Sequence, residues 1–286
     1  MLFCVQEKVD PVRPSIVSLL TFLYGVFKPT GDGSSALGYS SLNTIRSAVS
    51  AIATIDGQPA GQHALVKRFM KAVFQERPAL PKYSVVWDPD IVLAYIKGLG
   101  VNRRLSILQL SRKLVILMLL QSGQRGQTLH MLDVRNMVLT FSKVTFGIGE
   151  PLKTSGPGRH LSEVRFGAYA PHRSLCVVTA LKVYLKRTLD VRGTVQKLFL
   201  TTRPPVRAAS RATLRRWAKE VLVAAGIDMK IFAPSSTRAA SVSKASLRLS
   251  TATIIRTVGW SSDSVFGKFY KKPLMPRQGF AEAVLS

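Results

Sequence analysis

Three short segments of this 286-residue chain carry residue types suited to phosphoryl transfer without a metal. In Leu-Leu-Gln-Ser-Gly-Gln-Arg-Gly-Gln-Thr, Arg125 follows an apolar helix and a glycine turn. In Pro-Ser-Ser-Thr-Arg-Ala-Ala-Ser, Arg238 stands at the start of a helix of small residues. In Val-Gly-Trp-Ser-Ser-Asp-Ser-Val-Phe-Gly-Lys-Phe-Tyr, Tyr270 lies near the end of a helix. Fixed cations can stabilise the charge that develops on a transferring phosphoryl group. Metal-dependent chemistry has less to build on. The carboxylates Asp133, Glu150, Glu163, Asp190, Glu220, Asp228, Asp263 and Glu282 are scattered without motif spacing, whereas metals that act on phosphates need them clustered. His63, His130, His160 and His172 have no metal-ligand spacing, and no phosphate loop or dinucleotide fingerprint is present.

The elements that must position these residues are mostly helical. Ser15–Phe27 repeats apolar residues at helical spacing through Ile16, Leu19, Leu20, Leu23 and Phe27. Leu42, Ile45, Val49 and Ile52, with Ser40 or Ser41 as N-cap, mark a second helix, and Leu65, Phe69 and Val73 a third over Gln62–Arg77. Arg-Pro-Ala-Leu-Pro, with two prolines in four residues, reads as a linker. Helices follow over Asp88–Gly98, with Asp88 as N-cap and Pro89 at the first helical position, and over Leu105–Gln121. The β-branched and aromatic run from Val138, the glycine turns after it and the return Leu161–Phe166 predict two or three antiparallel strands. Further helices are expected over Leu175–Leu189 and Ser210–Ala225, the latter with Leu214, Trp217, Val221 and Leu222 opposite Arg211, Arg215 and Lys219. Two or three short helices fill Ser235–Tyr270. The outline is a mainly α fold with a small antiparallel sheet (α+β). Its expected organisation is a helical domain over 1–80, a linker and domain start over 81–94, and a larger domain over 95–286.

Charge divides along the same line. The whole chain carries 41 Lys and Arg against 15 Asp and Glu, a formal charge of +26. Residues 1–90 hold 9 basic and 7 acidic side chains, and residues 91–286 hold 32 and 8. An excess of that size repels itself and calls for a polyanion, most simply nucleic acid. The longest apolar runs, such as Leu114–Leu120, are too short to span a bilayer, so no membrane partner is expected. Cys4 and Cys176 are too few for a disulfide framework, which fits a reducing compartment.

In this order and over this span, the three segments resemble the catalytic domain of the tyrosine recombinases, the phage-integrase superfamily. Ser-Ser-Thr-Arg-Ala-Ala-Ser and Gly-Trp-Ser-Ser-Asp-Ser-Val-Phe-Gly-Lys-Phe-Tyr are most similar to the recombinases of DIRS/Ngaro-like retrotransposons. The resemblance covers roughly residues 95–275, and the first third resembles the family's helical (SAM-like) core-binding domain without some of its start. It implies a nuclear, site-specific DNA recombinase that uses no cofactor and no small-molecule substrate. Such an enzyme would act on double-stranded DNA as a homo-tetramer, with the tail Leu274–Ser286 reaching a neighbour.

Residue by residue, Arg125 and Arg238 match the family's two catalytic arginines, whose planar forks suit the non-bridging oxygens of a phosphodiester. Lys153 matches the hairpin lysine that protonates the leaving 5′-oxygen, with Lys143 on the preceding strand as its rival. Ser235 stands where most members carry histidine. Serine is no general base near neutral pH, which leaves that role to a neighbour or a water, or leaves it unfilled. Thr128 similarly replaces an acidic residue. Trp260 occupies the His/Trp position, where an indole N–H can reach phosphate. Tyr270 matches the nucleophile. Its phenol titrates near 10 when unperturbed, and nearby cations favour the phenolate. Lys268, Lys271 and Lys272 fit a DNA-facing segment. A type IB topoisomerase, a catalytically impaired recombinase-derived DNA-binding protein and a basic RNA-binding protein stay open as alternatives.

Overall fold

The computed structural model describes residues 2–28, 37–78, 83–152, 155–156, 158, 160–260, 267 and 272–275. Contacts divide the chain into two compact units, Met1–Lys82 and Tyr83–Ser286.

The first unit has helices α1 (Leu2–Gln6), α2 (Ile16–Phe27), α3 (Tyr39–Ser50) and α4 (Ala64–Glu76). Their apolar faces meet at Leu19, Leu23, Phe27, Leu42, Val66, Met70 and Val73. Ser15 caps α2 by accepting from the Ser18 amide at 3.0 Å. The start of the third predicted helix is instead a 3₁₀ turn over Ala60–Gln62, and His63 Nδ1 accepts from the Leu65 amide to open α4. A small hairpin not foreseen from sequence joins α3 to α4, pairing β1 (Thr54–Ile55) with β2 (Gln58–Pro59). Its turn is Asp56-Gly57, both at positive φ (+49° and +74°), the conformation that favours an Asp-Gly pair.

The second unit is built around α6 (Ile107–Ser122), whose residues from Leu114 to Leu120 are all buried. A helix apolar all round must be covered on every side. Here α8 (Val177–Arg192), α9 (Arg211–Ala224), α10 (Ser236–Ala245) and the sheet provide that cover. A capping box starts α6: Ser106 Oγ accepts from the Gln109 amide at 3.1 Å, and Gln109 Oε1 accepts from the Ser106 amide at 2.8 Å. Before it comes α5 (Pro89–Gly98), capped by Asp88 as expected. After it come α7 (Gly126–Met131) and, towards the end of the described chain, α11 (Thr251–Val258). The sheet has three antiparallel strands, β3 (Met137–Leu139), β4 (Lys143–Gly147) and β5 (Glu163–Gly167), in the order β3-β4-β5. Val144, Phe146, Val164 and Phe166 alternate inward onto the core. The mainly helical fold with a small antiparallel sheet is as the sequence predicts. No helix among the described residues is long and apolar enough to cross a membrane.

Candidate active site

Gly123 ends α6 in the left-handed conformation (φ +60°), its amide donating to Leu119 O at 3.0 Å. A methyl group there would lie 3.1 Å from Val258 Cγ2 and 3.3 Å from Val242 Cγ2, so the turn is wedged between α10 and α11. Gln124, buried, donates from Nε2 to Thr257 O at 3.1 Å and accepts from Thr128 Oγ1 at 3.3 Å. The hydroxyl of Ser241 on α10 donates to Leu120 O. These bonds fix the exit from α6, and Arg125, half-buried, leaves it at the N-cap position of α7. We expect Gly123→Ala to lower stability by about 1–2 kcal/mol, from the positive φ alone, measured as a lower urea midpoint; an unchanged midpoint would show that the turn is not under constraint.

The second arginine is set from the opposite side. Arg238 sits in the first turn of α10 and is only 4% exposed. Its Cζ stacks over the Trp260 ring, 4.9 Å from the centroid. Trp260 is held by a C-terminal cap on α11, in which Gly259 (φ +72°) and Trp260 both donate to Ile255 O, at 2.9 and 3.0 Å. The start of α10 is anchored from below by Trp87, whose Nε1 donates to Ser236 Oγ at 2.9 Å, with both residues buried. Further along α10, Lys244 Nζ meets Asp90 Oδ2 at 2.9 Å and Asp88 Oδ1 at 3.2 Å. The Asp90 hydrogen bond, reinforced by Asp88, holds this ammonium above its ordinary value. Helix α10 is thus tied to α5, α6 and α11 before any substrate is considered.

Arg125, Ser235 and Arg238 line one cavity of about 370 Å³ between α6, α7, α9 and α10. Its apolar floor includes Val115, Leu119, Leu129 and Leu214. Two cations that the sequence turned outward on α9, Arg211 and Arg215, line it as well. Among the described residues, no carboxylate belongs to the wall. Ser235 is exposed at the N-terminus of α10, where the helix dipole also favours an anion. The positive field extends outward: burial first, then Arg211 and Lys197, hold the His130 imidazole below its ordinary value against the pull of Glu150. An anion with several acceptor oxygens suits this cavity; a cation does not. No cluster of His, Cys, Asp or Glu able to hold a metal ion occurs among the described residues.

The fold has counterparts among solved structures. The Tn1549 transposon integrase in complex with transposon right end DNA matches with a TM-score of 0.55 at 15% identity, over 95% of this chain and 84% of that one. The same integrase in complex with circular intermediate DNA gives 0.54 at 14%, over 96% and 85%. The XerH site-specific recombinase bound to palindromic difH substrate, in a post-cleavage complex, gives 0.55 at 13%, over 87% and 66%. The chain has the tyrosine-recombinase fold. It spans just under two thirds of the XerH chain's length. No protein-family model matches the sequence, and no curated protein matches it.

Of the residues singled out in the sequence, the fold gathers Arg125, Ser235 and Arg238 around the cavity and sets Trp260 against Arg238. Thr128 is buried in α7 with its hydroxyl turned to Gln124. Lys143 opens β4 with its side chain exposed and lines no part of the cavity. Lys153, Tyr270 and the tail from residue 276 lie outside the described residues. The described chain resumes at Lys272, whose amide donates to Ser243 Oγ on α10 at 3.1 Å. Its ammonium, expected to face DNA, donates instead to Tyr83 O. Beyond it, Val86 donates to Pro273 O at 3.0 Å and accepts from the Met275 amide at 2.6 Å.

Proposed function

We propose that this chain cuts and rejoins double-stranded DNA through a covalent 3′-phosphotyrosyl intermediate, with no metal taking part. The observation that carries this is the cavity in which Arg125, Arg238 and Ser235 meet, with no carboxylate among the described residues that line it. In the proposed chemistry the two guanidinium groups grip the non-bridging oxygens of the scissile phosphate, Ser235 adds a hydroxyl, and Trp260 holds the plane of Arg238. The Tyr270 oxygen attacks phosphorus, the bond from phosphorus to the 5′-oxygen breaks, and Lys153 supplies the proton that this oxygen takes up. The phenolic proton passes to water or a neighbouring group, since Ser235 is no base. Reversal with a new 5′-hydroxyl joins the exchanged strand. Two peptide units separate Tyr270 from Lys272, which is bonded to the helix that carries Arg238. Exchange between duplexes needs several protomers, so we assign the active form as a homo-tetramer on DNA. From the DIRS/Ngaro-like wording of the Arg238 and Tyr270 segments, we assign it to the nuclear insertion or excision of a retroelement.

Capture on nicked DNA tests this. A library of duplexes, each randomised around a nick a few bases from the point of cleavage, is incubated with the protein in EDTA. Cleavage releases a short fragment that diffuses away and strands the enzyme on DNA. The expected result is an adduct resistant to SDS whose tryptic peptide carries the modification on Tyr270, with none from Tyr270→Phe. Duplex binding without an adduct would instead assign an impaired, recombinase-derived DNA-binding protein. A preference for structured RNA would overturn the DNA assignment altogether.

A further inference from the structure

A second basic concavity, of about 910 Å³, opens in the Tyr83–Ser286 unit and shares no lining residue with the arginine cavity. Its cations come from four separate places in the chain: Lys97 at the end of α5, Arg103 after it, Arg173 before α8 and Lys182 on α8. All four are exposed, and none forms an ion pair among the described residues. Among the described residues, no acidic side chain lines the groove. Two aromatic side chains stand among these charges. Phe141, in the turn between β3 and β4, is 94% exposed, and Tyr169, just after β5, is 44% exposed. Lys182 Nζ lies 5.5 Å from the centroid of the Phe141 ring.

Each feature alone is ordinary, but together they are chemically selective. A simple polyanion site needs only the cations. An exposed phenyl ring costs solvation unless something apolar and flat covers it. Unpaired bases offer such a face, and the phosphates that connect them match the surrounding lysines and arginines. A base-paired duplex turns its base faces inward, where neither ring can reach them without unstacking. We infer that this groove binds a single-stranded segment of nucleic acid, with bases stacked on Phe141 and Tyr169 and phosphates on Lys97, Arg103, Arg173 and Lys182. This inference does not depend on the chemistry assigned to Arg125 and Arg238.

The test uses the full chain with Arg125→Ala and Arg238→Ala in place, so that the other cavity makes no contribution. A fluorescent oligothymidylate of about 16 nucleotides, a duplex of equal length and heparin serve as probes. Phe141→Ala changes no charge and removes a side chain with almost no buried surface, so the fold is left intact. It should weaken oligothymidylate binding about tenfold and leave heparin binding and duplex binding unchanged. Lys182→Ala should flatten the dependence of log K on log salt for the oligothymidylate by about 0.7. Undiminished oligothymidylate affinity in Phe141→Ala would overturn the inference. An equal loss for the duplex would overturn it too, since the ring would then be acting on paired DNA.

Discussion

Replacing Arg238 with lysine is expected to cut covalent capture of nicked DNA by at least about a thousandfold, while duplex affinity stays within about twofold. The two effects separate because charge and geometry separate. In the proposed function, affinity for duplex would come largely from the summed phosphate contacts of a chain with a formal charge of +26, and lysine preserves the charge. Chemistry in the proposed mechanism depends on a planar fork held at one angle. Arg238 is 4% exposed and stacked on Trp260, so its plane is set by packing. A lysine ammonium is a point charge on a flexible stem; it neither stacks as a plane nor makes two parallel bonds to one phosphate. Thermal unfolding of the variant, followed alongside, separates lost chemistry from lost folding. Full capture by the lysine variant would remove Arg238 from the reaction. The same exchange at half-buried Arg125, which stacks on no ring in the described structure, should be milder.

How far the sequence reveals this site depends on whether its signals are local. Helix faces are local, and so in part are caps: Asp88 and Ser210 stand where the structure uses them. Ser40 and Ser41, expected to cap the second helix, lie instead inside α3, which Gly38 precedes without a side-chain cap. The strand run from Val138 is local as well, and it pairs as expected. The Asp56-Gly57 turn carried an equally local signal that its short flanking strands obscured. Arg211 and Arg215 show the opposite case. The apolar face of α9 correctly turns them away from its own buried side, but one helix cannot say what stands across from its polar face. Here that is the arginine cavity. The Trp87–Ser236 bond, between residues 149 apart in sequence, leaves no trace in either segment. The arginine positions came into view through the ordered wording of three segments, and the cavity that surrounds them only through the fold.

The least legible residue is Lys113, and it supports a prediction of comparable size. A lysine in a helix ordinarily marks the wet face. Lys113 is fully buried in α6, and its Nζ has no hydrogen-bond partner among the described residues. Burial pulls its ammonium from 10.5 down to about 8. The charged form is therefore penalised in the folded chain and free in the unfolded one, at a cost of about 2–3 kcal/mol below pH 8. As pH rises from 8 towards 10.5, the folded protein gives up this proton first. The unfolded state then binds more protons than the folded state, so stability rises with pH over that window. Lys113→Met keeps the length of the side chain and removes the charge. We expect it to raise the unfolding free energy by about 2–3 kcal/mol at pH 7, with the advantage shrinking steadily towards pH 10.5, measured by urea denaturation of both proteins across the range. Other titrating groups are common to the pair and cancel in the difference. A gap that is absent at pH 7, or that does not close as pH rises, would mean that the ammonium finds a partner in solution. In that case α6, the helix whose end sets Arg125, would carry a buried charge that is paired rather than penalised.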